Sequence, residues 1–357
     1  MVMRGIQGLG AALVLPAALS TVMNLYAEGA ERNKALGIWG GVGALGGTVG
    51  LLAGGILTTY AGWQYIFFFN VPIGATALAL VPKMVPESRA HNGPRRYDTG
   101  GAVSITAALL MLVYAISQAP EVGWAATQTV ALLAAGAALL ALFLAVETKA
   151  EAPLLPLPLF RLGGVAGSNA VGFLLGASFT TFVFLGTLYM QQVLGFSALV
   201  TGLAWMTASV TSLALAGLSQ RIVTRTSAKL VMAFGMTLIG AGILWAAQAP
   251  ANGNFWADLA GPFLISGAGT AFALQNLGGA IGVAVTSSIA TAHSRTLASH
   301  GYATAAALSG GLQWAMWVCG LTGLAAIPVA FALIRGTRRA AVVTTARPQD
   351  QVTAAER

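Results

Sequence analysis

Apolar residues in this chain fall in blocks of about twenty, separated by short polar connectors. The blocks are continuous, without the two-residue alternation of a half-buried strand or of a membrane β-barrel. Their length matches the roughly 30 Å hydrocarbon core of a bilayer, which takes about 20 helical residues to cross. The pattern predicts an all-α, polytopic membrane protein of about eleven transmembrane helices. The predicted spans are 5–25, 36–57, 65–83, 100–118, 126–147, 167–190, 199–222, 229–248, 256–273, 274–292 and 311–334.

One block is ambiguous. Residues 256–292 contain no charged connector, and as one straight helix they would be about 55 Å long, far more than the hydrocarbon core. Two short or tilted crossings joined near Ala271–Asn276 fit better. They also keep the C-terminal arginines on the same side as the other basic connectors.

The connectors alternate in charge. One set carries Arg32 and Lys34; Lys83, Arg89, Arg95 and Arg96; Lys149 and Arg161; Arg221, Arg225 and Lys229; and the tail arginines from Arg335 onward. The other set, "TYAGWQ", "SQAPEVGW", "QQVLGFS" and "QAPANGNFW", holds no Lys or Arg, and only Arg295 breaks the pattern. Cationic connectors stay in the cytosol. The predicted topology therefore has a cytoplasmic C-terminus in a multi-pass plasma-membrane protein.

Composition agrees with this picture. The chain is 57% hydrophobic and 8% charged, too little charge to cover a water-facing surface. Its net charge of +8 lies in the connectors, which argues for orientation in a bilayer and against nucleic acid as a partner. Cys319 lies alone in an apolar block and forms no internal disulfide. His91, His293 and His300 are expected in connectors on opposite sides of the membrane, so they cannot share a metal. No phosphate-binding loop, nucleophile elbow or metalloprotease motif is present. Neither an enzyme nor a metal or other cofactor is predicted.

The second block carries the most unusual pattern. "GIWGGVGALGGTVGLLAGGIL" (37–57) has nine glycines in 21 residues, each costly to a helix in water. In hydrocarbon the helix is imposed by backbone hydrogen bonding, so propensity matters less. Gly46, Gly50 and Gly54 are spaced four apart and predict a small-residue face on which a neighbouring helix packs closely. The face serves either as a fixed seam or as one that slides between conformations.

These residues resemble the antiporter motif of the major facilitator superfamily, G-x8-G-x3-G-P-x2-G-G, with Gly37, Gly46, Gly50, Gly54 and Gly55 in register and Leu51 in place of the proline. "RGIQGLGAA" resembles the family's fourth-helix motif through Arg4, Gln7, Gly8 and Gly10. "GWQYIFFFNVPIG" (62–74) resembles the start of the sixth helix of the 14-span drug:proton antiporter group, with Gln64 where that group carries arginine. "LYMQQVLGFSALVTGL" and "QNLGGAIGVAV" resemble later segments.

The resemblance implies secondary active export of small amphipathic compounds or drugs, driven by proton antiport. Small-molecule substrate, protons and lipid are the implied partners. The implied organisation is three spans of an N-terminal half (1–83), a cytoplasmic loop (84–99), two central spans (100–147), a second loop (148–166), a C-terminal half (167–334) and a tail (335–357). It further implies that the family's first three helices are missing, and that a loop is deleted at Ala273–Leu274. The alternative expectation is a remnant that does not transport, or a membrane partner protein.

Proton coupling by the family's route uses an acid in the first helix. None of the ten acidic residues here falls in mid-span, and Glu147 and Asp258 sit at span ends, where solvation is expected. By resemblance Arg4 takes part in coupling. Gln7, Asn70, Asn169, Tyr189, Gln191, Gln192, Gln275 and Asn276 are the polar candidates for a substrate pathway. Trp39, Phe69, Phe173, Phe179, Trp205 and Met206 are candidates for an adaptable apolar lining.

Overall fold

The computed structural model describes residues 2–27, 30–85, 98–150, 153–161, 165–226, 228–273 and 279–333. Among the described residues there are eleven α-helices and no strand. They are α1 (Val2–Leu25), α2 (Ala30–Tyr60), α3 (Tyr65–Met84), α4 (Thr99–Val122), α5 (Thr127–Glu147), α6 (Val165–Leu188), α7 (Ala198–Arg225), α8 (Ala228–Ala246), α9 (Ala260–Phe272), α10 (Gly279–Ser299) and α11 (Thr304–Leu333). Each predicted span has its helix. Eight are long and apolar enough to cross a bilayer. Of the other three, α9 has only 13 residues.

Local chemistry explains the ends. Gly62, Gly123 and Gly195 close three of the turns with φ of +106°, +106° and +69°, a conformation that glycine adopts without penalty. Asp98 caps α4 by accepting the Gly101 N–H at 2.7 Å, and Ser197 caps α7 by accepting the Val200 N–H at 3.3 Å. Residues 256–292 do form two helices. A π-helical turn (Phe255–Leu259) leads into α9, so this arm is roughly 27 Å long. The helix α10 runs further than expected, through Ser299. His293 and Arg295, expected in a connector, therefore lie within α10, where His293 stacks on Trp314 of α11 with ring centroids 5.6 Å apart.

Close approaches set the register. The α4/α5 pair is antiparallel: a Cβ on Gly136 would lie 2.8 Å from Leu112, and one on Gly101 would lie 3.2 Å from Glu147. The α8/α9 pair is antiparallel through Gly235 against Gly269 and Ala273, and Gly242 against Pro262 and Ser266. In α6 and α11, the Ser178 hydroxyl donates to the Cys319 carbonyl and the Cys319 thiol to the Ser178 carbonyl, both at 2.9 Å. The core lies in α6, α7, α8, α9 and α11, around Phe182, Leu185, Trp205, Met236, Ile239, Phe263, Met316 and Ala326. In contrast, α1 and α3 bury no described residue.

The glycine seam differs from the expectation. A Cβ at Gly46, Gly50 or Gly54 would meet nothing within 4 Å. The close contact of α2 is with α7 and runs one residue around, through Leu51 and Gly55. A Cβ on Gly55 would lie 2.8 Å from the Ala198 carbonyl oxygen, and one on Gly202 would lie 2.7 Å from the Leu51 carbonyl oxygen. One residue is about 100° of helix rotation, so the three-glycine stripe and the packed face are different faces. Period alone finds a stripe of small residues and does not say which adjoining face meets the neighbour.

Candidate functional site

Two clefts stand out, and one of them gathers candidate residues. The first lies between α1 and α3 and has a volume of about 460 Å³. Met3, Arg4 and Gln7 share one face of α1 by helical spacing, as do Phe67, Asn70 and Val71 on α3, and these six line it. The Arg4 guanidinium sits 4.4 Å from the Phe67 ring centroid and donates to the Gln7 side-chain oxygen at 3.2 Å. Asn70 donates to the Ile66 carbonyl one turn back at 3.0 Å. Candidate residues from two separate segments of the sequence therefore converge.

None of the six lining residues is acidic. The one charged side chain lining the cleft is that of Arg4. Gly8 and Gly10 have open space around them, which is compatible with a helix face kept narrow.

The second cleft, about 470 Å³, is lined by Phe196 and by Val200, Leu203, Ala204 and Thr207 along α7, facing Gly253, Asn254, Phe255 and Trp256 at the entrance to α9. It is aromatic and uncharged. The sequence reading missed it, although the 200–203–204–207 spacing on α7 and the "GNFW" segment were both visible. Its rim is tied by hydrogen bonds. Asn254 accepts from the Trp256 N–H at 2.9 Å, while Asp258 reaches back to the Asn254 N–H at 2.7 Å. Asp258 is therefore part of a reciprocal helix cap.

Tyr189, in the π-helical turn Tyr189–Val193 that ends α6, is buried, and its hydroxyl donates to the Pro250 carbonyl at 2.5 Å. It anchors the α8–α9 connector and lines neither cleft. Tyr189→Phe is expected to destabilise the fold by about 1 kcal/mol, one neutral hydrogen bond, seen as a lower midpoint in thermal unfolding of the purified chain. An unchanged midpoint would mean that the hydroxyl is dispensable. Gln191 and Gln192 follow on the same turn and are exposed.

Other expectations change. Trp205, a candidate for an apolar lining, is buried in the core. Glu147, expected to be solvated, is only 4% exposed, because the start of α4 and the connector at Leu155 lie against the end of α5. Gln275 and Asn276 lie outside the described residues, as does His91. Gly37 lies in α2. Among the described residues no group of three His, Cys, Asp or Glu could hold a metal ion.

A profile of the Major Facilitator Superfamily matches residues 1–312. The chain is 33% identical over 243 residues to the multidrug resistance protein Stp of Mycobacterium tuberculosis, covering 68% of this chain and 45% of that one. It is 32% identical over 244 residues to the tetracenomycin C resistance and export protein of Streptomyces glaucescens, with the same coverage of each. It is 33% identical over 344 residues to the puromycin resistance protein pur8 of Streptomyces alboniger, covering 86% of this chain and 67% of that one. Against the first two the chain spans about half the relative's length. With helices where the motifs placed them and the family profile running over most of the chain, the protein belongs to the major facilitator superfamily.

Proposed function

We propose that this chain acts in secondary active export of small amphipathic compounds, drugs among them, in exchange for protons, by alternating access. The observation that carries the reading is the similarity to proteins named for antibiotic resistance and export, at 32–33% identity over more than 240 residues. The geometry supports it in two ways. The glycine contact between α2 and α7 joins a helix of the N-terminal group to one of the C-terminal group without large side chains, which suits two bodies that rock against each other. The aromatic cleft on α7 offers stacking surface without a fixed charge, which suits ligands of varied shape.

In this reading Arg4, held by Gln7 and Phe67, acts as a fixed charge that favours an ionised acid or repels a proton in the working assembly. The basic connectors and residues 335–357 face the cytosol of a plasma-membrane protein. Everted vesicles containing the chain should accumulate a fluorescent lipophilic cation on energisation and lose it with a protonophore. Arg4→Ala should slow this at least about tenfold, the equivalent of one charge-assisted hydrogen bond. Well-expressed chain with no energised uptake would overturn the activity and leave a non-transporting member of the family.

A further inference from the structure

The end of the α4/α5 pair where α4 starts and α5 finishes holds two carboxylates whose inner oxygens have no partner among the described residues. Glu147, the last residue of α5, accepts the Leu155 N–H with Oε1, while its Oε2 is buried and accepts no hydrogen bond. Asp98, at the start of α4, accepts the Gly101 N–H at 2.7 Å with Oδ1, and its Oδ2 is likewise buried without a partner. Both free oxygens lie beside Gly101. A Cβ on Gly101 would lie against Asp98 Oδ2 and 3.2 Å from Glu147 Oε2. Glycine at 101 therefore leaves room for both carboxylates beside it, and Glu147 is more than nine-tenths buried there.

Two anionic oxygens brought together out of water repel, and burial strengthens that repulsion. A positive charge between them removes it. Two carboxylates carry two negative charges, and hard oxygen donors match a hard divalent cation. Such ions, magnesium above all, are held by one or two carboxylates while keeping several waters. No third acidic, histidine or cysteine ligand is gathered here among the described residues, so a partly hydrated ion fits better than a fully caged one.

We propose that Asp98 and Glu147 together bind one divalent cation. The ion joins the start of α4 to the end of α5. Through the Glu147–Leu155 hydrogen bond it also fixes the connector that leads to α6. It is a clamp at the joint between the central helix pair and the C-terminal helices, separate from both clefts.

The test uses the purified full chain in detergent with Mn²⁺ as probe, followed by electron paramagnetic resonance. Expected is saturable binding of one Mn²⁺ per chain, competed by Mg²⁺, and weakened at least about tenfold in Asp98→Asn and in Glu147→Gln. Glu121→Gln, at the opposite end of α4, should bind as the unmodified chain does. A nitroxide at Lys149→Cys, two residues beyond Glu147, should be broadened by Mn²⁺, whereas one at Gln248→Cys should not. That measurement needs neither neutral variant and decides the matter if they fail to fold. No saturable binding, binding unchanged in Asp98→Asn, or equal broadening at both labels would overturn the proposal. So would a rise in thermal midpoint in both neutral variants without Mn²⁺ binding by the unmodified chain, which would assign the pair to a shared proton.

Discussion

Gly202→Leu is expected to detach α1–α3 from the rest of the molecule. Among the described residues, the principal contact between those helices and the rest of the molecule is α2 against α7, and a Cβ at Gly202 would meet the α2 backbone. A Cβ there would sit 2.7 Å from the Leu51 carbonyl oxygen and 3.7 Å from the Leu52 Cα. The obstacle is backbone, so no rotamer change relieves it, and leucine adds three more carbons. Overpacking of this kind typically costs 1–3 kcal/mol, occasionally more.

In water the hydrophobic effect would hold the helices together despite such a clash. Lipid is as apolar as the side chains, so association rests on packing and hydrogen bonds alone. A cost of about 3 kcal/mol is therefore enough to separate the helices. Electron–electron distances between spin labels at Leu78→Cys on α3 and Leu321→Cys on α11 should change from one narrow distribution to a broad one. Gly50→Leu, with nothing within 4 Å of its Cβ position, should leave the distribution narrow. A narrow distribution in Gly202→Leu would refute the seam.

Trp205→Ala is the second large effect. The indole is fully enclosed. It stacks on Phe263 at 4.2 Å and 15°, meets the edge of Phe182 at 5.3 Å and 82°, and donates through Nε1 to the Thr187 hydroxyl at 3.0 Å. It also occupies the space above Gly186, whose Cβ position lies 2.9 Å from the ring. Three helices, α6, α7 and the start of α9, meet on this one side chain. Truncation leaves a cavity, and buried tryptophan-to-alanine changes cost about 3–5 kcal/mol. The cavity part of that cost persists in a membrane protein, because lipid cannot enter a closed interior.

Trp205→Phe should cost only about 1 kcal/mol. It keeps an aromatic ring, and the Thr187 hydroxyl still donates to the Val183 carbonyl at 2.7 Å. Thermal unfolding with size-exclusion chromatography in detergent should rank unmodified chain, Trp205→Phe and Trp205→Ala in descending order. Equal midpoints for the two variants would show that ring packing here contributes little.

Both predictions fall where the sequence reading was weakest. Gly202 sits in an ordinary apolar run, "LVTGLAW", without a spaced repeat to mark it. Trp205 looked like a lining residue because an aromatic group in a span can face lipid, a cleft or a core with equal ease. Arg4, Gln7 and Asn70 were legible because each is a polar group in a helix that passes through hydrocarbon, where polar groups are costly and few. That their faces meet was not legible.

Glu147 shows the same limit from the other side. Its place at a span end suggested solvation, but whether a helix end is wet depends on what folds over it, and here that is Asp98 and Leu155.

The sequence by itself determined the number of helices, their approximate ends and the family. Hydrocarbon accepts only apolar, fully hydrogen-bonded segments, and that constraint acts on each segment alone. The tertiary structure decided which glycines are packed, which aromatic residues are enclosed and which carboxylates face one another. Those depend on the rotation of each helix about its axis, and among helices apolar on all sides no hydrophobic stripe sets that angle in advance. It is set by close contact between backbones and by a few hydrogen bonds, from residues far apart in the chain.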